Sequence, residues 1–162
     1  MALELQYYGQ NFSLFGPDLA LTGDPAIDNA ALEAAGFNAG VLVKVGVSTL
    51  NPDEMALQIA TDADAVAGTI LGAIITIPGE FANTIGPSGS NRISVARAHF
   101  VGNVLGAKSF DQALLGAGAI AVGDPLYCGL TGLYTAAGTA PVAICSHVPT
   151  AIEPWLGVIS LI

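Results

Sequence analysis

The sequence predicts a mainly β fold, and three observations support this prediction. The segment VLVKVGV places Val41, Val43, Val45 and Val47 on one face of a strand, with Lys44 on the other. Short apolar runs at about 57–61, 70–77, 93–101 and repeatedly within 123–162 are separated by glycine and proline, which interrupt regular structure. Helix signals are confined to two short segments. We therefore expect strands throughout the chain and one or two short helices.

The first residues of the chain are predicted to form an extended arm. Leu3, Leu5 and Tyr7 alternate with polar residues, which is the period of a strand with one buried face. An apolar end segment of this kind is rarely left free in solvent. The residues expected to contact another subunit are Leu3, Leu5, Tyr7, Tyr8, Phe12 and Phe15.

A short helix is predicted to follow the arm, so that residues 1–38 form one N-terminal segment. Asp24 is the expected N-cap, Pro25 the first helical residue and Gly36 the C-terminal stop. A second helical signal begins at Ser109, where Gln112 completes a capping-box pattern.

Residues 39–162 are predicted to form a single β domain, built from two related units at about 40–76 and 123–161. When each residue n is set beside n+85, residues 57–61 align with 142–146, and 70–74 align with 155–159. Identities are few, so chance similarity between apolar strands is the alternative explanation.

The composition indicates that part of the surface is covered by other protein chains. Of the 162 residues, 52% are hydrophobic and 10% are charged, whereas about 25% charged residues is usual for a globular domain. A monomer needs charge on its surface, so this chain is expected to bury surface in contacts between subunits. Alanine also raises this count without forming adhesive patches, which is the alternative explanation.

Charge and hydropathy patterns argue against nucleic-acid and membrane partners. The net charge is −9 and only four residues are basic, too few to neutralise a phosphate backbone. The apolar runs are broken by glycine and proline before they reach the roughly 20 residues of a spanning helix. The N-terminus lacks the basic and apolar regions of a signal peptide.

The sequence contains one candidate nucleophile pair and one acidic cluster. Cys145 and His147 are two residues apart, which on a regular strand places both on one face. No third group to orient the histidine is evident, so catalysis by this pair is not expected. Asp62 and Asp64 are predicted to share one face of a strand, near the acidic turn at 53–54, but calcium-loop spacing is missing. A solvated acidic loop is the expected structure.

No other pattern predicts an enzyme, a metal site or a cofactor. Residues 116–121 fit a loose dinucleotide-binding pattern, but they follow a helical signal instead of a strand. Cys128 and Cys145 have no zinc-type spacing and are expected to be buried free thiols, with one disulfide between them as the alternative. A non-enzymatic protein with no catalytic, metal-binding or cofactor-binding residues is therefore predicted.

The C-terminal part resembles the head decoration, or capsid cement, proteins of tailed bacteriophages. The resemblance lies in four segments, Gly123-Asp124-Pro125-Leu126-Tyr127, Gly132-Leu133-Tyr134-Thr135, Pro141-Val142-Ala143-Ile144 and Trp155-Leu156-Gly157-Val158-Ile159, with a weaker echo at 40–76. It departs from the family pattern at Ala143, where such proteins often have glycine. It covers roughly the last 40 residues and transfers no residue-level role.

This resemblance implies a small β-barrel or β-sandwich that binds the outer surface of an assembled viral head. The expected partners are the major capsid protein and further copies of this chain, with a trimer favoured because shell lattices offer three-fold sites. The expected location is the outer capsid surface of the virion, after assembly in the host cytoplasm. Two alternatives remain, a virion fibre or receptor-binding module and a small oligomeric β-barrel hydrolase.

Overall fold

The computed structural model describes residues 3–7, 10–15, 25–75, 92–97, 99–105, 108–116 and 118–162. Its described parts form eleven strands and two α-helices, arranged as two antiparallel sheets. The predicted mainly β fold with short helices is thus confirmed. The predicted N-cap Asp24, the arm residue Tyr8 and the loop at 86–91 lie outside the described residues.

The first sheet has six strands, in the spatial order β1-β7-β11-β10-β8-β9. Their bounds are β1 Leu3–Tyr7, β7 Val101–Leu105, β8 Pro125–Cys128, β9 Tyr134–Thr135, β10 Pro141–His147 and β11 Trp155–Ser160. All the pairings between named strands are antiparallel.

The second sheet has five strands, in the order β2-β6-β5-β3-β4. Their bounds are β2 Gln10–Phe15, β3 Leu42–Val47, β4 Met55–Ile59, β5 Ile70–Ile74 and β6 Arg92–Arg97. Strand β3 lies between β4 and β5, and its first residues, Leu42 and Val43, are fully buried.

The sheets pack face to face around one core, and α1 (Pro25–Ala34) covers a second core on the far side of the five-stranded sheet. Consecutive residues of β3 serve both cores: Leu42 points between the sheets, whereas Val43 packs with Leu32 and Phe37 from the α1 region. The centre of the five-stranded sheet therefore has buried apolar side chains on both faces, for example Ala73 and Ala96 in the first core and Ile74 and Val95 in the second.

The local predictions were right for α1 and wrong at three other places. Helix α1 ends before Gly36, as predicted. The segment at 62–67 is a short helix, α2 (Asp62–Ala67), and not a strand, because Thr61 and Asp64 form a reciprocal capping box.

The other two differences concern a strand and a cap. The strand predicted over 93–101 is divided into β6 and β7, which belong to different sheets, and His99 adopts a left-handed φ of 55° between them. At the second helical signal, Asp111 and not Ser109 is the cap: its carboxylate accepts a 2.9 Å hydrogen bond from the N–H of Ala113 and opens a single 3-10 turn.

The two predicted β units lie in different sheets, and corresponding strands are ordered differently in each. In the first unit β3 separates β4 from β5, whereas in the second β10 pairs directly with β11. Their common origin stays a prediction.

Candidate functional site

The predicted contact residues of the arm lie on edge strands of the chain's own sheets. Leu3, Leu5 and Tyr7 belong to β1, which pairs with β7, and Phe12 and Phe15 belong to β2, which pairs with β6. Each strand is the first in its sheet, so one side of its backbone has no partner among the described strands. An unpaired strand edge is a template for pairing with another chain. Contact with another subunit through these residues stays a prediction.

The hairpin of β3 and β4 ends in an apolar tip, formed by Val47, Leu50 and Met55. Along β3 the valines change from fully buried at Val43 to 61% exposed at Val47. Met55, the register partner of Val47, is 62% exposed, and Leu50 in the turn is 68% exposed. The apolar face of β3 and β4 that belongs to the second core at Val43 and Leu57 thus extends along the hairpin to its tip, where it is exposed.

Hydrogen bonds hold this hairpin tip in one conformation. The hydroxyl of Ser48 accepts from the N–H groups of Leu50 (3.2 Å) and Asn51 (3.0 Å), and the N–H of Glu54 donates to the carbonyl of Asn51. Ser48 itself is buried. A tip fixed in this way loses little conformational freedom on binding, which favours affinity.

The six-stranded sheet has a second candidate contact surface on the side that faces away from the core between the sheets, called here the outer face. Val101 lies opposite Ile159, and Ile159 lies opposite Ile144, so three apolar side chains form a row across neighbouring strands. The alternate residues Cys145 and Val158 point inward and are buried. The same alternation places Asn103, Tyr127 and Trp155 outward, and a β-bulge after Cys145 brings His147 to the same face, opposite Gly157.

None of these outward residues of β7, β8, β10 and β11 is Asp, Glu, Lys or Arg, but two carboxylates lie at the margin: Glu4 of β1 is the register partner of Asn103, and Glu153 is 3.6 Å from the Nε2 of His147. The rings of Trp155 and His147 stack with centroids 4.8 Å apart and an interplanar angle of 15°. A surface with aromatic and branched aliphatic side chains at its centre and carboxylates at its margin has the composition of a protein–protein interface, which is apolar in the middle and polar at the rim.

The candidate nucleophile pair is separated by a β-bulge. The register of β10 on β11 shifts between Cys145 and His147, so the thiol enters the core while the imidazole stacks on Trp155. The thiol of Cys145 donates to the backbone carbonyl of His147 at 3.4 Å and makes no contact of this kind with its ring. Burial raises the pKa of the Cys145 thiol, which is the opposite of what a thiolate nucleophile needs.

The acidic cluster serves structural roles. Asp62 accepts hydrogen bonds from the N–H (2.8 Å) and the hydroxyl (2.6 Å) of Thr139, which joins α2 to the loop before β10. Asp64 accepts from Thr61 and forms a 2.8 Å ion pair with Lys44. Among the described residues, no three His, Cys, Asp or Glu side chains converge as metal ligands do.

These contacts predict a loss of stability in acid. Hydrogen bonds from Thr139 hold the pKa of Asp62 below its ordinary value of 3.8. Burial alone would raise the pKa of Asp64, but hydrogen bonds from Lys44 and Thr61 outweigh burial and lower it. A carboxylate whose folded pKa is lowered stabilises the fold above its unfolded pKa, and this contribution disappears as the pH falls through the folded value.

We therefore expect Asp62→Asn to lower the unfolding temperature at pH 7 and the difference to shrink below about pH 3.8. Thermal unfolding followed by circular dichroism between pH 2 and 7 measures this. Asp53→Asn, which removes the same charge from the exposed turn, is the control. An Asp62→Asn deficit that stays constant down to pH 2 would contradict the explanation.

The hairpin tip and the outer face were not predicted as contact surfaces. The valine period indicated which side of β3 is apolar, but exposure depends on how far α1 reaches, and this is a tertiary property. The outer face is assembled from four strands distant in sequence, and its one readable signal was the alternation in Trp155–Ile159.

No family model, no curated protein and no solved structure matches this chain. In the described residues, neither helix is long and apolar enough to cross a membrane.

Proposed function

We propose that this chain is a structural protein of a viral head, which binds the outer surface of the capsid and stabilises it by bridging capsid subunits. The observation that carries the proposal is the row of apolar side chains, Val101, Ile159 and Ile144, across the outer face of the six-stranded sheet. A protein that cements a shell needs broad apolar contacts and no reactive site, and obligate interfaces are apolar in this way.

The sequence segments that resemble decoration proteins lie together in the fold. The four segments fall on β8, β9, β10 and β11, which are neighbours in the six-stranded sheet. Asp124 in the first segment accepts a hydrogen bond from the N–H of Ala121, and its carbonyl accepts from the N–H of Cys145. The turn before β8 is thereby attached to β10. The four segments of the resemblance thus belong to neighbouring strands, three of which (β8, β10 and β11) carry outward residues of the outer face.

The two edge strands β1 and β2 add a second mode of contact. Strands that pair on one side only are suited to main-chain pairing with a neighbouring capsid subunit. In this proposal the outer face supplies apolar area and the arm supplies directional hydrogen bonds.

The test is binding to empty capsids of the source virus that lack this chain. We expect Ile159→Glu, in the middle of the outer face, to weaken binding by about tenfold or more, because it places an unpaired charge in an apolar interface. Cosedimentation with the capsids gives the affinity. Leu130→Glu is the matched control, since Leu130 is 85% exposed on the turn between β8 and β9.

The arm is tested in the same preparation. A photoreactive benzoylphenylalanine at Tyr7 is expected to crosslink to the major capsid protein, whereas crosslinks found only within this chain would reject the arm contact. Equal capsid binding by Ile159→Glu and the unchanged chain would reject the role of the outer face. Binding to host cells and not to capsids would favour the receptor-binding alternative, and magnesium-dependent nucleotide hydrolysis would favour the enzyme.

A further inference from the structure

An open cleft of about 300 Å³ lies beside the first residues of β5. Most of the residues that line it are apolar and come from α2, β5 and the last described residues, among them Ala65, Ile70, Leu71 and Leu161, whereas polar atoms, with His99 among the lining residues, form nearly half of the exposed wall. Leu161 is 41% exposed. A volume at the small end of the range for ligand sites suits one or two apolar side chains better than a cofactor.

The backbone around this cleft is fixed by hydrogen bonds. His99, in its left-handed conformation, donates its backbone N–H to the carbonyl of Ile162 at 2.9 Å. The hydroxyl of Ser160 donates to the same carbonyl at 3.0 Å. A non-glycine residue at positive φ persists only where its surroundings hold it, so the cleft is a built feature of the fold.

The hairpin tip has the complementary properties. It presents three apolar side chains, each more than 60% exposed, on a turn held by hydrogen bonds. Asp53 and Glu54 are exposed in the same turn, and His99, whose imidazole ring carries an N–H donor, is exposed at the cleft. An apolar projection flanked by acceptors therefore matches an apolar cleft flanked by a donor.

The tip does not fill the cleft of its own chain. The cleft is lined by residues from 65–71, 99 and 161–162, and none comes from the tip. Strand β3 is last paired with β5 at Lys44 opposite Ile70. Val47 lies three residues further along, which is about 10 Å at the rise of a strand. Within one molecule the two surfaces are neighbours that do not meet.

We infer that the hairpin tip of one copy, with Leu50 leading, binds in this cleft of a second copy of the same chain. Because both surfaces belong to every chain, the contact repeats, either reciprocally in a pair or head to tail in a closed ring. The contact uses neither the outer face nor the edge strands β1 and β2, so it leaves the capsid-binding surfaces of the proposed function free.

The test uses two variants that damage opposite sides of the contact. Leu50→Asp alters the tip and Leu161→Asp alters the cleft, and each alone is expected to raise the dissociation constant for self-association by about tenfold or more. A mixture of the two retains one intact tip and one intact cleft, so mixed complexes are expected to form where neither variant associates alone. Analytical ultracentrifugation with one variant fluorescently labelled measures this.

Leu130→Asp is the control and is expected to leave self-association unchanged. Circular dichroism and the unfolding temperature establish that each variant is folded. A benzoylphenylalanine at position 50 gives an independent readout: intermolecular crosslinks to 65–71, 99 or 161–162 support the contact. A chain that stays monomeric at all concentrations, Leu50→Asp with unchanged association, or crosslinks elsewhere would overturn it.

This outcome is separable from that of the proposed function. A Leu50→Asp chain that no longer self-associates but still binds capsids would support both proposals. Loss of capsid binding by Ile159→Glu with intact self-association would distinguish the two surfaces.

Discussion

Replacing Gly132 with alanine is expected to destabilise the fold by about 3 kcal/mol, the sum of two costs. Gly132 has a φ of 74°, a left-handed conformation that costs an L-residue about 1–2 kcal/mol. A Cβ there would lie 2.7 Å from the carbonyl oxygen of Leu42 and 2.8 Å from the side chain of Val41. Forcing such a contact in a packed interior costs about 1–3 kcal/mol more.

The position of Gly132 explains why neighbouring atoms cannot move away. Its carbonyl accepts a 2.8 Å hydrogen bond from the N–H of Leu42, at the start of β3. This bond joins the turn between β8 and β9 to the five-stranded sheet, so any shift that relieves the alanine also strains a contact between the sheets.

Gly118→Ala is the matched control for this experiment. Gly118 also has a positive φ, 86°, but a Cβ there would meet no described atom within 4 Å. Gly118→Ala is expected to lower the free energy of unfolding by about 1 kcal/mol, which is the conformational cost without a packing cost. Urea unfolding of both variants gives the two values. Equal losses would show that the packing cost at Gly132 is absent.

Leu42→Ala is expected to cost about 2–5 kcal/mol, because it leaves a cavity in the core between the sheets. Leu42 is 0% exposed and packs with residues of both sheets. Its neighbour Val43 points into the other core, so the structure can collapse into the cavity only by displacing a strand that is held on both faces.

Val47→Ala is the control for this substitution, because Val47 belongs to the same strand and is 61% exposed. Its free energy of unfolding is expected to change by less than about 0.5 kcal/mol. Chemical denaturation measures the stability of both variants, and ultracentrifugation measures their association. A Val47→Ala chain that is as stable as the unchanged chain but associates more weakly would show that Val47 contributes to the contact between copies and not to folding. Comparable destabilisation by both variants would show that β3 is not buried as described.

Local signals predicted the elements whose structure is decided locally. Helix α1 has proline at its start and glycine after its end, and β3 has an uninterrupted valine period, so both were found from sequence. The error at α2 came from reading Asp62 and Asp64 as alternating strand positions. Thr61 and Asp64 have the spacing of a capping box, and that signal was present in the sequence.

The remaining differences arise from contacts between distant segments. The break between β6 and β7 depends on two sheets meeting at His99, where local preference is for a continuing strand. The candidate surfaces were missed for the same reason. From sequence, Leu50 looks like an ordinary turn residue, because its exposure depends on how much of the hairpin α1 covers. The outer face forms only when β7, β10 and β11 lie side by side in the sheet.

The burial of both cysteines has a practical consequence for spectroscopy and labelling. Cys128 and Cys145 are free thiols in the core, and burial raises the pKa of Cys128 to about 12. Maleimides react with the thiolate, which is scarce at neutral pH when the pKa is this high. A single cysteine introduced at an exposed turn, such as Leu130→Cys, should therefore accept a fluorophore or spin label selectively, without removal of the native thiols. Distances between labelled copies can then be measured on the assembled protein with its natural core.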